Sequence, residues 1–346
     1  MKRIFFKAII VLFLAGNWLS TAAQTFTNPL LPSGADPWSI HKDGYYYYTH
    51  TLQDSLVIWK TKNLADLATA ERKTIFVPPA NTLYSKELWA PEIHFIAEKW
   101  YVYFAADNGN NSNHRMYVIE NSSADPMTGE WEFKGKIADK TDKWAIDGSV
   151  FYHNNKLYMV WAGWEGDVNG KQEIYIARMK NPWKIKGKRY KISSPELDWE
   201  NHGDLNDPGN PPHVAVNEGP QILRNQDHTF LIYSASGCWT DFYALGMLTL
   251  KGKNIKKAKS WAKSPQPVFK QDPENGVYAP GHNSFFKSPD GTEDWILYHA
   301  NSEPGQGCGR FRSPRAQKFT WNADGTPNFG RPLKTNTKLP IPSDNK

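Results

Sequence analysis

The sequence contains little cysteine and, beyond its first residues, no long apolar run. Only two cysteines, Cys238 and Cys308, occur in 346 residues, so the fold cannot rest on a network of disulfides. An exported chain permits one bridge between them, and two unpaired thiols are the alternative. No later apolar stretch reaches the length of a membrane-spanning helix, so we expect no membrane partner.

A strong charge of one sign is also missing. The 41 basic and 35 acidic residues give a formal charge of +6. The N-terminal segment described next carries three basic and no acidic residues, so its removal leaves a balance near +3. The lysine-rich stretch at 251–263 is interpreted as a solvated edge or loop. We therefore expect no nucleic-acid partner.

The first 23 residues have the pattern of an export signal. Three basic residues come first, followed by an apolar stretch at 8–15 that is too short to span a bilayer and by small residues at 21–23. We therefore expect residues 1–23 to be a signal peptide and residues 24–346 to form a single domain. The protein is expected to be exported, either to a periplasm or to the medium.

Helical patterning is nearly absent. Only NLADLATAERKT, residues 63–74, has helix-like content, and it lacks a sustained apolar face. Aromatic residues instead make up 14% of the chain, with 25 Gly and 24 Pro, a composition typical of short strands joined by tight turns. An all-β chain of this length has to close on itself or repeat radially to protect its sheet edges.

Five similar aromatic strands repeat along the chain. Their centres lie near Tyr47, Tyr103, Met159, Ile232 and Leu297, at separations of 56 to 73 residues. Each follows another strand and a polar turn, which is the pattern of a β-hairpin. Further short strands, such as RMYVIEN and EIYIARM, lie between the hairpins. These five units, each with enough strands for a four-stranded sheet, predict a five-bladed β-propeller.

The first strands of the five units share an ionisable position. They begin ADPWSIH, APEIHFI, IDGSVFY, EGPQILR and GHNSFFK, so the position holds Asp36, Asp147, Glu218 and His282 in four units. In the second unit Pro91, next to Glu92, is aligned there. Because the innermost strands of a propeller surround one axis, we expect these groups to meet in one central cavity. Clustered carboxylates in such a cavity acquire shifted pKa values.

Two other interpretations of these carboxylates stay open on this evidence. An Asp or Glu beside Gly or Pro commonly bonds to the nearby backbone of a turn, although recurrence in three units argues against that role. The carboxylates and His282 could also hold an ion, although no EF-hand or HExxH pattern is present. We expect no required cofactor and no metal ligands, with a structural calcium ion near His282 as the alternative.

Three carboxylates in a cavity rimmed with aromatic residues suit hydrolysis of a glycosidic bond. One carboxylate activates water, and one carboxylic acid protonates the leaving oxygen. In the inverting reaction the two groups stand roughly 6.5–9.5 Å apart to leave room for the water. A third carboxylate raises the pKa of the acid by like-charge repulsion. Tryptophan and tyrosine cover the apolar faces of a sugar while polar side chains bind its hydroxyls.

The chain resembles glycoside hydrolase family 43 over essentially its whole length after the export signal. The resemblance rests on the motifs GADPW, ELWAPEIHF, WYVYFAAD, WAIDGSVF, VNEGPQIL, YSASGCWT and GHNSFFKSPDGTEDWILYHA. It implies a five-bladed propeller that hydrolyses glycosides with inversion. It further implies that Asp36 is the general base, Asp147 the pKa modulator and Glu218 the general acid, and that His282 orients groups on the axis.

The side chains expected to bind substrate are Trp89, His282, Arg315, Arg312, His50 and Trp164. Trp89 would stack on the sugar or pack between blades. The two arginines would bind hydroxyls, with Arg315 favoured, or form salt bridges that close the ring of blades. Trp38 and Trp239 would line or fill the cleft.

The motifs are most similar to the branch of the family that contains exo-acting α-L-arabinofuranosidases. This resemblance implies release of terminal arabinose from arabinan or from arabinose-decorated plant polysaccharides. A β-xylosidase or endo-arabinanase of the same family is the alternative, as is a non-catalytic carbohydrate-binding propeller. A related retaining propeller that acts on fructosides would hold its two carboxyl groups about 5 to 5.5 Å apart. We expect a monomer whose partner is an arabinose-containing oligo- or polysaccharide.

Overall fold

The structure, a computed structural model, describes residues 24–203 and 214–344, so the expected signal peptide lies outside it. In these ranges the helical segments are short 3₁₀ turns, namely Leu64–Thr69, Asn111–Asn113, Asp198–Glu200, Ala258–Ser260 and Pro273–Asn275. The first of them falls in the stretch with helix-like content and leads directly into a strand. None of the helices described is long and apolar enough to cross a membrane.

The strands form five blades and one short terminal pair, and a parallel pairing of residues 171–172 with 215–216 joins the third and fourth blades into one nine-stranded sheet. The terminal pair consists of β1 (Thr25–Phe26) and β23 (Leu339–Pro340). Blade 1 contains β2 (Trp38–Lys42), β3 (Tyr45–Thr49), β4 (Leu56–Thr61) and β5 (Glu71–Phe76). Blade 2 contains β6 (Lys86–Ile96), β7 (Lys99–Asp107), β8 (Arg115–Asn121) and β9 (Glu132–Ile137).

The remaining blades follow the same order. Blade 3 contains β10 (Ala145–His153), β11 (Lys156–Gly163) and β12 (Lys171–Asn181), with β13 (Lys184–Ile185) and β14 (Tyr190–Ser193) both paired to β12. Blade 4 contains β15 (Ala215–Asn225), β16 (His228–Ala235), β17 (Ala244–Leu250) and β18 (Trp261–Lys263). Blade 5 contains β19 (Tyr278–Lys287), β20 (Asp294–Asn301), β21 (Ser313–Trp321) and β22 (Pro327–Asn328), and β23 is Leu339–Pro340.

The predicted five-bladed propeller is confirmed. The five aromatic strands are the second strands of the blades, β3, β7, β11, β16 and β20, and each pairs antiparallel with the first strand of its own blade. Apolar clusters lie between blades 1 and 2, 2 and 3, 3 and 4, 4 and 5, and 5 and 1. The hydrophobic core is therefore a ring of five interfaces around the axis.

This ring explains why the second strands are aromatic or apolar almost without a break. Successive side chains of a strand point to opposite faces of its sheet. Tyr46 and Tyr48 accordingly pack toward blade 5, whereas Tyr47, between them, packs toward blade 2. Since both faces of the sheet are covered by neighbouring blades, an alternating polar pattern would bury polar groups, and the strand reads as a continuous apolar run.

The ends of the ring are joined through the N-terminal segment. β1 pairs with β23, and the chain then runs beside the start of β21. The buried amide of Asn28 donates to the carbonyl of Ala316 at 2.9 Å and accepts from its N–H at 2.9 Å. Further along, Gly34 N–H donates to the carbonyl of Arg312 at 2.9 Å. This closure places the residues that precede β2 next to blade 5.

Replacement of Asn28 tests this closure. Asn28→Ala leaves the buried N–H and carbonyl of Ala316 without partners, so we expect a loss of about 1–3 kcal/mol in the free energy of unfolding. Urea denaturation followed by tryptophan fluorescence measures it. The exposed Asn322, whose amide bonds Thr326 at the surface, supplies the control variant Asn322→Ala. Equal midpoints for both variants and the wild type would contradict the role given to Asn28.

Candidate active site

Each innermost strand is distorted at the same place. One residue there has a left-handed backbone: Asp36 with φ 58°, Ala90 with φ 44°, Asp147 with φ 57°, Gly219 with φ 55° and His282 with φ 48°. In blades 2 to 5 the register with the second strand shifts at this point, which marks a β-bulge. A left-handed residue other than glycine costs about 1–3 kcal/mol, and such strain clusters at functional sites.

The bulges correct the alignment that the sequence suggested. The position that Asp36, Asp147 and His282 share is taken by Ala90 in blade 2 and by Gly219 in blade 4. Glu218 comes one residue earlier and pairs with Ser234 of β16. Its carboxylate therefore reaches the axis from a different backbone position, and the N–H of Gly219 is left to donate to Asp147 Oδ2 at 3.0 Å.

These residues surround one cavity of about 360 Å³ at the end of the axis. Described residues of all five blades contribute to its wall. The residues are Asp36, Thr51, Gln53, Trp89, Asn111, Trp144, Ile146, Asp147, Asn169, Gln172, Val214, Glu218, Cys238, Trp239, His282, Cys308 and Arg312. The three expected carboxylates thus meet with His282, Arg312 and Trp89, as the repeat pattern predicted for the central groups.

Asp36 is held in its ionised form. Burial by itself raises its pKa, but His282, Arg312 and His299, together with the hydroxyl of Thr51, outweigh burial and hold the pKa well below its usual range. Arg312 Nη1 and His282 Nδ1 each lie 3.2 Å from Asp36 Oδ1. The Thr51 hydroxyl donates to Asp36 Oδ2 at 2.6 Å. Asp36 is therefore a carboxylate over the whole neutral range.

Glu218 and Asp147 are shifted in the opposite direction. Burial raises the pKa of Glu218 to about 7; the hydrogen bond from Tyr243, 2.8 Å from Glu218 Oε1, opposes this rise, and the charge of Asp36 adds to it. Burial, and then the charge of Glu218, raise the pKa of Asp147 well above its usual range. Two adjacent buried carboxyl groups cannot both ionise easily, so the pair shares a proton near neutral pH.

The same groups define where an ion would have to bind. Asp147, Glu218 and His282 each bring a ligand atom within 4.8 Å of the others. This is the neighbourhood of His282 in which the sequence analysis placed the alternative of a structural calcium ion. The set offers two carboxylates and one imidazole, which is a small donor set for calcium, a cation that takes six to eight oxygens.

Three tryptophans, Trp89, Trp144 and Trp239, line the cavity, and two of them stack on buried aromatic rings. The ring of Trp89 stacks on His114, with ring centres 4.0 Å apart and planes at 25°. Trp144 stacks on Trp164 at 4.6 Å and 8°. Trp89 and Trp144 line the cavity, and their stacking partners lie behind them.

Three of the side chains expected to bind substrate do not line the cavity. Trp164 is buried behind Trp144. His50 is buried against Trp59, with ring centres 4.6 Å apart. Arg315 is fully buried inside β21, where its Nη2 donates to the hydroxyl of Ser302 at 2.9 Å. The pleat of β21 turns Arg315 into the blade, whereas Arg312 precedes the strand and reaches Asp36.

Several neighbours of the carboxylates were not identified from the sequence. Thr51 and His299 contact Asp36, the latter by accepting its N–H at Nδ1 at 3.0 Å. Tyr243 contacts Glu218. These residues come from second strands and the loops that follow them, where no repeat of residue type marks a function. Only Thr51 could have been found from the sequence, because it directly follows the first aromatic hairpin, at the end that lies beside the axis.

A chain of polar contacts among Glu92, His94, Gln221 and Ser149 fills the axis below the cavity. Glu92 accepts a hydrogen bond from Gln221 Nε2, and its other oxygen lies 2.8 Å from His94 Nε2. The Ser149 hydroxyl donates to Gln221 Oε1 at 3.2 Å. Glu92 therefore closes the base of the site. The sequence analysis placed it next to the shared position and not among the reacting carboxylates.

A disulfide lies in the cavity wall. Cys238 and Cys308 are bonded, with their Cα atoms 5.2 Å apart. The bond joins the loop that follows β16 to the loop that follows β20, so it links blades 4 and 5 at the mouth of the site. The bridge that an exported chain permits is thus present.

Together, the fold and the site define a five-bladed propeller with a carboxylate centre at the end of its axis. Residues 26–327 match the family model described as glycosyl hydrolases family 43. The chain belongs to that family, and the expectation from its motifs is confirmed.

Similar proteins agree with this assignment. The chain is 42% identical over 325 residues to the extracellular exo-α-(1→5)-L-arabinofuranosidase of Streptomyces avermitilis. The match covers 91% of this chain but 65% of the other protein, so this chain spans just under two thirds of that relative's length. It is 37% identical over 281 residues to a protein of the same name from Streptomyces chartreusis, with 80% and 82% covered. The crystal structure of an α-L-arabinofuranosidase from Lactobacillus brevis superposes with a TM-score of 0.82 at 38% identity, over 90% of this chain and 98% of that one.

Removal of the positive charge beside Asp36 tests the electrostatics of the site. Arg312 lowers the pKa of Asp36, so Arg312→Ala is expected to raise it. Because an opposite charge at this distance shifts a carboxyl pKa by about 1–3 units, the acid limb of the kcat/KM profile should move at least one unit toward neutral pH.

Arg312→Lys is the matched control because it keeps the charge. Its acid limb should lie close to that of the wild type, even if its KM differs. An acid limb that stays in place in Arg312→Ala would contradict the role assigned to the arginine.

Proposed function

We propose that this protein is an exported, exo-acting glycosidase that releases terminal α-L-arabinofuranose from arabinan or arabinose-decorated plant polysaccharides by inversion. The observation that carries the proposal is the opposite protonation of the two reacting carboxyl groups, since Asp36 is held ionised while the pKa of Glu218 is raised to about 7. The names of the similar arabinofuranosidases support the choice of sugar.

The proposed reaction needs a base and an acid in one cavity. Asp36, ionised and oriented by Thr51 and Arg312, takes a proton from water as the water attacks the anomeric carbon. Glu218 gives its proton to the oxygen of the leaving group as the glycosidic bond breaks. Burial and the charge of Asp36 raise the pKa of Glu218, and Asp147 shares a proton with it because ionisation of both would place two negative charges side by side.

His282 is a neighbour of both reacting carboxyl groups. Its Nδ1 lies 3.2 Å from Asp36 Oδ1, and one of its ring nitrogens lies within 4.8 Å of a carboxylate oxygen of Glu218. The proposal of inversion follows the family's mechanism, in which a wider spacing of the two carboxyl groups leaves room for a water molecule. A retaining enzyme would need its two carboxyl groups about 5–5.5 Å apart.

The shape of the cavity supports action on a chain end. Residues of all five blades wall it, and the contact chain around Glu92 closes its base. Such a pocket accepts one terminal sugar more readily than the middle of a polymer. We propose that the monomer is active. We also propose that both protons of the reaction are handled by protein carboxyl groups without a metal ion.

The first experiment compares substrates. The mature protein is expected to hydrolyse an aryl α-L-arabinofuranoside faster than the matched β-D-xyloside and to release only arabinose from debranched arabinan. Proton NMR of the first product should show the β anomer. Equal rates are expected with and without a chelator. Faster xyloside hydrolysis, larger arabinan products or a retained anomer would each overturn the corresponding part of the proposal.

A leaving-group comparison tests Glu218 as the acid. Glu218→Ala should lose about 100- to 10,000-fold in kcat on arabino-oligosaccharides, the usual contribution of general acid catalysis. The loss should be much smaller on an aryl arabinoside, because an activated leaving group needs little protonation.

Asp36→Ala is the matched control, since loss of the base damages hydrolysis of both substrates. Equal losses on both substrates in Glu218→Ala would show that Glu218 is not the acid.

A further inference from the structure

We propose that Asp107 and His114, which do not line the cavity, position Trp89 as the surface on which the bound sugar packs. The inference rests on the proposed function, because it takes the occupant of the cavity to be a sugar. Tryptophan presents an apolar face to a sugar ring only if the indole is held at a fixed angle. The structure shows what holds it.

The strand that carries Trp89 does not fix the indole by itself. The register of β6 shifts on both sides of Trp89, between Lys86 and Trp89 and again between Trp89 and Glu92. Glu87 and Ala90 have left-handed backbones, with φ 51° and 44°. In a bulged segment the side chain is no longer oriented by a regular ladder. Within the strand, Trp89 Nε1 donates to Glu87 Oε2 at 3.0 Å, which holds one edge of the indole, so contacts from outside the strand have to hold its face.

His114 supplies such a contact. Its imidazole is fully buried and stacks on the face of Trp89 that points away from the cavity, with centres 4.0 Å apart. Nδ1 lies 3.0 Å from Asp107 Oδ2, and Nε2 lies 3.1 Å from the carbonyl oxygen of Glu87. The ring is therefore in contact with Asp107 on one edge and with the Glu87 carbonyl on the other while its face stacks on Trp89.

Asp107 makes this arrangement possible. Its side chain is 1% exposed, and a buried carboxylate has to be paired or hydrogen-bonded. Oδ2 faces His114, and Oδ1 accepts the N–H of Gly109 at 2.7 Å.

The same loop reaches the second tryptophan of the wall. Trp144 Nε1 donates to the carbonyl of Asn111 at 2.8 Å, and Ala145 N–H donates to the carbonyl of His114 at 3.2 Å. Residues 108–114 therefore connect Trp89 with Trp144, although the proposed proton transfers use none of them. Loss of the Asp107–His114 pair should loosen the binding surface and leave the reacting carboxyl groups in place.

The test separates binding from chemistry. Asp107→Asn and His114→Gln are expected to raise KM for an aryl α-L-arabinofuranoside about 2- to 10-fold, the size of an aromatic pair's contribution. The kcat should stay within about twofold of the wild type, because uniform binding is lost rather than transition-state stabilisation. Adding either change to Trp89→Ala should raise KM no further. Asp272→Asn, which removes another buried carboxylate, paired with Arg331 outside the cavity, is the control and should leave KM unchanged.

Tryptophan emission gives a readout that does not depend on activity. The imidazole of His114 is in direct contact with the indole of Trp89, so His114→Gln should change the intensity of the emission. The same change in a Trp89→Phe background should not. Unchanged KM and unchanged emission in folded Asp107→Asn and His114→Gln would overturn the inference. A wild type that hydrolyses no arabinoside would instead refute the proposed function, and the emission arm would still decide whether His114 holds Trp89.

Discussion

Repulsion between the carboxyl groups of Asp147 and Glu218 is the constraint on which the site depends. Asp147 is buried and Glu218 is half-buried at the axis, and loss of solvent raises the pKa of each. The pair shares a proton because two neighbouring charges in a poorly solvated cavity are costly. Asp36, in the same cavity, keeps a low pKa because Arg312 and two histidines surround it. One cavity thus holds a base and an acid at the same pH.

The fold is what makes three acidic residues tolerable in one place. Five blades converge on the axis, and the bulged starts of their inner strands direct Asp36, Asp147 and His282 from one shared backbone position. The strain of these left-handed residues is offset by the ring of apolar interfaces around them. Closure of the ring by the N-terminal segment matters for chemistry as well, since it brings Arg312 of blade 5 beside Asp36 of blade 1.

Most of the fold could be predicted because its signal is repeated. The sequence alone predicts five aromatic strands, five inner strands and the residues at the starts of the inner strands. The structure contains all of them. The register of the inner strands could not be predicted in the same way. The repeat pattern aligns Glu218 with Asp36, but the bulge in blade 4 places Gly219 at the position equivalent to Asp36. The repeat pattern does not show where the backbone bulges, so it could not predict this shift.

The side chains around the carboxylates show the same limit. Arg312 and Arg315 are three residues apart in RFRSPRAQ, but Arg312 precedes β21 and reaches the cavity, whereas Arg315 lies within the strand and is buried. Tyr243 reaches Glu218 from the loop before β17 of the same blade. His299 reaches Asp36 from blade 5, far away in sequence, so that contact follows from the closed ring and not from a local pattern.

Unequal ionisation of the carboxyl groups is the central claim, and it can be observed directly. Carbon-13 NMR of protein labelled at the side-chain carboxyl groups of Asp and Glu follows each titration, with Asp36→Asn and Glu218→Gln to assign the signals. We predict that the Asp36 signal remains that of a carboxylate down to acid pH, while the Glu218 signal titrates near neutral pH. A Glu218 signal that is fully ionised at pH 5, or an Asp36 signal that titrates near pH 7, would contradict the account.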